Sequence, residues 1–183
     1  DWSSDVCSSD LMLKLLLVFS YFTDGFAFAG EALTGKFVGV RWPQMVRRTV
    51  DYTFGWSMGI GIIFVFIYAV FGVSMVRILT SDGIVVEATR AFMPWLFLFP
   101  LVSCPAFAWD GIYTGATATK AMRDSNIGCV FAFFAVWLLG MFLLRPQGTA
   151  AAHLLFAAYY AHVIFRSLYQ TFLYEKSIIR PLL

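Results

Sequence analysis

The chain has 183 residues, of which 60% are hydrophobic, 19% aromatic and only 13% charged, with a mean hydropathy of +0.77. A soluble domain carries roughly 25% charged residues and under half apolar ones, so composition excludes a cytosolic enzyme, a nucleic-acid binder and a disordered chain. The formal net charge of +2 is too small to imply an anionic partner.

The N-terminal segment Asp1–Asp10 (DWSSDVCSSD) is polar, low in complexity and meets an apolar stretch without a linker. A secretory leader pairs a basic start with an apolar core, and this segment has neither. The string Asp5-Val6-Cys7-Ser8-Ser9-Asp10-Leu11 looks like the translation of a sequencing-library adapter. Residues 1–10 are therefore expected to be a non-native leader, and 11–183 the domain proper. Cys104 and Cys129 lie inside apolar runs, which gives no support for a disulfide framework.

The first span runs from Leu11 to about Gly35, apolar except for Lys14, Asp24 and Glu31. Charge-free stretches then extend from Asp51 to Arg77, Arg90 to Asp110, Asp124 to Arg145 and Arg145 to Arg166. Each matches the roughly 20 apolar residues that a helix needs to cross a bilayer core. They place four further spans near 54–76, 91–116, 125–144 and 150–173, with connections at 36–53, 77–90, 117–124 and 145–149. The expected fold is an all-α integral membrane protein of five helices, with its termini on opposite sides.

Orientation follows from the lysines and arginines, which gather on cytoplasmic loops. One side collects Lys36, Arg41, Arg47, Arg48, Lys120, Arg123, Lys176 and Arg180, while the other has Lys14, Arg77, Arg90 and Arg145. The 36–53 connection and the C-terminus are expected to be cytoplasmic. The small-xxx-small pairs Gly35/Gly39, Gly55/Gly59 and Gly111/Gly115 read as helix-packing contacts. Trp42, Trp56, Trp95 and Tyr174 read as interfacial anchors.

Ionisable groups at membrane depth are costly and mark ion or substrate pathways. At 100° per residue, Ser20, Asp24, Glu31 and Gly35 form one stripe on the first span. Ser103, Ala106, Asp110, Thr114 and Thr117 likewise share a face of the 91–116 span. Acids beside hydroxyls suit a proton, Na⁺ or a cationic solute. The last span adds His162 and Arg166 one turn apart, near Tyr159 and Tyr169, and an ion pair from Arg166 to Glu31 or Asp110 is within geometric reach. Pro100 and Pro105 each remove a helical hydrogen bond and are expected to kink the helix, freeing carbonyls around positions 96 and 101. Irregular backbone of this kind is tolerated where it lines a cavity.

Two segments carry a more specific signal: SYFTDGFAFAGEALTGKFVG (20–39) and PLVSCPAFAWDGIYTGATATKAMRDS (100–125), followed by FRSLYQTFLYE in the last span. In order and spacing, about residues 11–183 resemble the multidrug and toxic compound extrusion (MATE) family, in its DinF-like bacterial branch. The resemblance implies a twelve-helix fold of two six-helix lobes, of which this chain supplies helices eight to twelve. The seventh helix and the N-terminal lobe of the same polypeptide would be its missing partners. It further implies export of small amphipathic or cationic solutes across the bacterial inner membrane by antiport with H⁺ or Na⁺. No other cofactor, metal, nucleic acid or enzymatic step is implied. Asp110 matches an acidic position of the family's tenth helix implicated in cation binding, with Asp24 as a second candidate. Glu31, Ser103, Thr114, Thr117, His162 and Arg166 would line the cleft. The isolated chain is expected to be inactive, because alternating access requires two lobes.

Two alternatives remain at this stage. A lipid-linked oligosaccharide flippase of the same superfamily would need a wide cationic groove, for which the spans offer only Arg166. An intramembrane enzyme using Glu31, His153 and His162 lacks any HExxH or GxSxG pattern.

Overall fold

The computed structural model describes residues 2–79, 83–90 and 92–183, and the side chains of these apart from 2–12, 79, 85 and 88. The proposed leader at 1–10 thus lies outside the residues whose side chains are described. The order of elements is α1 (Trp2–Gly39), α2 (Pro43–Leu79), α3 (Gly83–Arg90), α4 (Met93–Gly115), α5 (Thr119–Leu144) and α6 (Thr149–Tyr174). A π-helical turn at Glu175–Ile179 and a 3-10 turn at Arg180–Leu182 follow. All five expected spans are helices. Four of them, α1, α2, α4 and α5, are long and apolar enough to cross a membrane. α6 is as long as α5 but carries His153, His162, Arg166 and Gln170, the polar groups from which the site is built.

The helices overrun the apolar segments. The 36–53 connection is mostly helical, because α1 continues to Gly39 and α2 begins at Pro43. Proline suits a first helical turn, where its missing N–H has no partner to lose. In the extension of α2, Val46 and Val50 are buried while Arg47 and Arg48 are exposed. That amphipathic face holds a helix without membrane contact. At about 1.5 Å per residue α2 is far longer than a bilayer core of about 30 Å, so its charged first turns stand clear of the hydrocarbon. Hydropathy marks the membrane-crossing part of a helix, not its ends.

Two turns close in the left-handed conformation. Arg41 (φ 50°) ends α1, with the Trp42 N–H reaching the Phe37 carbonyl at 3.0 Å, and Thr117 (φ 54°) ends α4, with the Ala118 N–H on the Tyr113 carbonyl at 3.1 Å. Both satisfy otherwise orphaned helix-end carbonyls, as a Schellman turn does.

α4 is the hub: 56% of its most apolar stretch is buried, against 11% for α5. One buried cluster joins Phe19 of α1, Tyr68 of α2 and Leu96 and Phe99 of α4 to Tyr160 of α6. A second, nearer the C-terminus, joins Val46 and Val50 to Trp109, Ile112 and Tyr113 and to Ile178 and Ile179 of the terminal turns. There Arg47 also makes a two-pronged pair with Glu175, at 2.5 and 3.1 Å. Both partners are about half exposed, so solvent screening leaves this pair little weight in stability.

The α1–α4 seam is the tightest in the fold. Gly111 lies against the Ala27 backbone and Gly115 against the Glu31 backbone, so closely that a Cβ at either would collide with a carbonyl. Gly35 completes the seam against the Gly115 carbonyl. The Gly111/Gly115 pattern is thus a real contact, with Gly35 on the opposite helix. Gly39, Gly55 and Gly59 instead have open space beside them. Close approach of Cα–H to a carbonyl supplies weak attraction that any side chain would prevent.

α4 runs unbroken through Pro100 and Pro105. Tyr160 hydroxyl donates to the Trp95 carbonyl, and Ser103 hydroxyl to the Phe99 carbonyl at 2.7 Å. Side-chain donors thus fall on carbonyls 95 and 99, close to the expected 96 but short of 101. Cys104 and Cys129 are free and buried.

Candidate functional site

Asp110 sits on α4 one residue before Gly111, so the helix seam brings it beside α1. The Arg166 guanidinium of α6 approaches its Oδ1 to 2.5 Å, and Gln170 Nε2 donates to the same oxygen at 3.3 Å. The side chains of Arg166 and Asp110 are 23% and 24% exposed, and Gln170 is fully buried. Both partners come from one face of α6, because residues four apart lie one above the other on a helix. The carboxylate's Oδ2 has no hydrogen bond among the described residues. Arg166 Nε and Gln170 Oε1 are buried and find no hydrogen-bond partner among the described residues.

Asp24 of α1 is half-buried and lies within electrostatic range of Asp110. Two carboxylates against one guanidinium leave the cluster one negative charge when all three are ionised. That balance suits one monovalent cation, inorganic or organic, or a proton.

The other expected residues divide. Ser103 and Thr114 donate to carbonyls of their own helix, at Phe99 and Asp110, both at 2.7 Å. Ser20 likewise bonds the Leu16 carbonyl at 3.0 Å. These hydroxyls therefore face α4 and α1 backbone and do not donate to the carboxylate of Asp110 or Asp24. Thr117 lies beyond the end of α4, exposed in the left-handed turn, and so leaves the helical face on which it was placed. Glu31 is half-buried and makes no ion pair with Arg166, which is committed to Asp110. His162 stacks nearly parallel to Tyr159, with interplanar angle 7° and centroids 6.2 Å apart, one turn from Arg166.

Towards the N-terminal end of α6 the same region opens into an apolar cleft of about 350 Å³. Leu13, Leu16, Leu17 and Ser20 of α1 form one wall, Phe99 of α4 and Phe133 of α5 contribute rings, and Ala152, Leu155, Phe156 and Tyr159 of α6 form the other. Phe99 stacks on Tyr159 at 17°, so a ladder of rings leads from the cleft through Tyr159 and His162 towards Arg166. Ser20 and Asp24 make the matching step along α1. The arrangement joins an aromatic slot for an apolar body to a polar end with a net negative charge, and aromatic faces also attract cations.

Gln170 escaped the reading of the sequence, although it continues the His162–Arg166 face by one further turn. Thr171 and Tyr113 were also missed: Trp109 Nε1 donates to Thr171 Oγ1 at 2.8 Å, and Tyr113 hydroxyl to the Gln170 carbonyl at 2.6 Å. These bonds hold α6 against α4 and so keep Gln170 aimed at Asp110.

Comparison with known proteins agrees with the resemblance read from 20–39 and 100–125. The family profile MatE matches residues 3–143. DNA damage-inducible protein F of Escherichia coli K12 is 29% identical over 137 residues, covering 74% of this chain and 30% of its own length. Protein DETOXIFICATION 49 of Arabidopsis thaliana is 23% identical over 137 residues, covering 73% of this chain and 27% of its own. No solved structure matches. The chain thus spans under a third of the length of these relatives, and by its profile match over most of its residues it belongs to the MatE family.

Proposed function

We propose that this chain is part of a secondary active exporter of small amphipathic or cationic solutes, coupled to entry of H⁺ or Na⁺. The observation that carries this reading is the Asp110–Arg166–Gln170 cluster, with Asp24 within electrostatic range of it, at the polar end of an aromatic cleft in a bundle of membrane-crossing helices. One net negative charge and one unpaired carboxylate oxygen make the cluster a place where an inorganic cation and a cationic solute compete. A proton or Na⁺ at Asp110 weakens its hold on Arg166, and a solute cation leaves when the acid is neutralised. Alternating access would then rock this helical lobe against a second lobe of the same polypeptide, in the bacterial inner membrane. The cationic ends of the helices, with the C-terminus, would face the cytoplasm. A C-terminal reporter active only in the cytoplasm should therefore be active, and activity only of a periplasmic reporter would reverse the orientation.

Efflux of a cationic dye from cells tests the site. In the longer polypeptide, Asp110→Asn and Asp24→Asn should each reduce efflux by about tenfold, within the roughly 5- to 150-fold range of typical coupling between linked sites. Their dependence on pH or Na⁺ should flatten. Unchanged efflux and ion dependence in both variants would remove the assignment. The 183-residue chain alone should give no efflux above the empty-vector control.

A further inference from the structure

Trp95 is held twice at the end of the bundle remote from the C-terminus. Its indole N–H donates to Nδ1 of His153 at 2.8 Å, while its carbonyl accepts from Tyr160 hydroxyl. The indole also stacks on Phe156, at 17° with centroids 5.9 Å apart. Phe92 packs against the His153 ring at 4.9 Å. An indole nitrogen can donate but has no lone pair to accept with. The contact therefore requires a bare Nδ1, with the imidazole's proton on Nε2.

A proton added at Nδ1 would set two N–H groups against each other at hydrogen-bond distance. An imidazole nitrogen with a free lone pair can bind a proton, so this contact is made from the one chemistry suited to break it. Phe92 at the N-cap of α4 and Trp95 within it reach the ring, and on α6 the titratable groups nearby are Tyr160, committed to the Trp95 carbonyl, and Tyr159 packed against it. No carboxylate or cation among the described residues pairs with His153. The switch is accordingly local to one nitrogen.

Its mechanical output follows from Phe156, which stacks on Trp95 and also lines the apolar cleft, as does Ala152 beside the histidine. We propose that His153 Nδ1 is a proton-binding site: empty, it holds the Trp95 indole against α6, and filled, it releases that indole and loosens the Phe156 wall of the cleft, while the Tyr160 bond to the Trp95 carbonyl stays. Proton binding here does not rest on the export reading, and only its consequence for transport does. In the proposed orientation the site faces outward, so external acid would open the cleft on the side where solute is released.

The chain contains two histidines, so ¹⁵N-histidine NMR of the whole chain in lipid nanodiscs resolves both, and a His162→Gln variant assigns them. At neutral pH the His153 Nδ1 should resonate as an unprotonated acceptor, and the Trp95 indole proton should be shifted downfield by its hydrogen bond. On acidification both signals should change together with a single midpoint. In His153→Asn, whose amide oxygen still accepts but does not titrate, the Trp95 signal should stay hydrogen-bonded throughout. A protonated Nδ1 at neutral pH, or a Trp95 resonance that ignores the histidine's titration, would overturn the proposal. Those two readings come from the native side chains at 95 and 153, so the outcome stands even if His153→Asn does not fold.

Discussion

Replacing Gly111 with leucine is expected to dismantle the α1–α4 seam and, with it, the packed bundle. The obstacle at Gly111 is the Ala27 carbonyl, backed by its own carbon and Cα. These are backbone atoms of a helix and have no rotamer to retreat into. Overpacking a close contact costs about 1–3 kcal/mol and occasionally more, and alanine alone already creates the collision. Leucine adds three more carbons where the two helices are closest. Thermal unfolding in detergent should show Gly111→Ala well below the native chain and Gly111→Leu without a cooperative transition. The control is Gly59→Ala, which has open space beside it and should gain roughly 0.5–1 kcal/mol from better helix propensity. A Gly111→Leu chain that melts like the native one would refute the seam.

The second large effect is the asymmetry of the Asp110–Arg166 pair. Removing one partner of a buried ion pair leaves an uncompensated charge and costs about 3–5 kcal/mol, whereas replacing both by apolar groups is often neutral or stabilising. Asp110→Leu strands the Arg166 guanidinium, whose Nε already finds no hydrogen-bond partner among the described residues, and deprives Gln170 of its acceptor. Arg166→Leu strands the carboxylate within electrostatic range of Asp24. Each single variant should therefore be strongly destabilised, and the Asp110→Leu/Arg166→Leu double variant should recover most of the loss. Stability against a detergent denaturant, measured as a double-mutant cycle, reads the difference directly. Additive losses would mean that the two side chains act independently. The Asp110→Asn variant used for efflux keeps an acceptor oxygen for Arg166 but not the charge, so its stability is measured beside its efflux to separate loss of transport from loss of fold.

What was legible in the sequence was whatever depends on periodicity and depth. The spans, the Gly111/Gly115 contact face and the reach of Arg166 to Asp110 could all be read from residue spacing. The choice between Glu31 and Asp110 as the partner could not, since it depends on the distance between helices. Hydroxyls were the least legible. Ser103 and Thr114 lie on the expected face, yet their rotamers turn the O–H back to the preceding turn, a local option open to any helical serine or threonine. Trp95 reads as an interfacial anchor by position, but its indole is turned inward to His153. Helix ends were misplaced because charge signals where the hydrocarbon stops, while Val46 and Val50 continue the helix for a different reason.

The glycine seam also dictates how the molecule can move. α1 and α4 meet backbone to backbone, so Asp24 and Asp110 ride on a single plate whose halves cannot slip past one another. α6 meets that plate through pivoting side-chain contacts at both ends, Trp95 with His153 and Trp109 with Thr171. The separation of the two acids is consequently fixed by the seam. Any change in the position of Arg166 relative to them would have to come from movement of α6 against that plate.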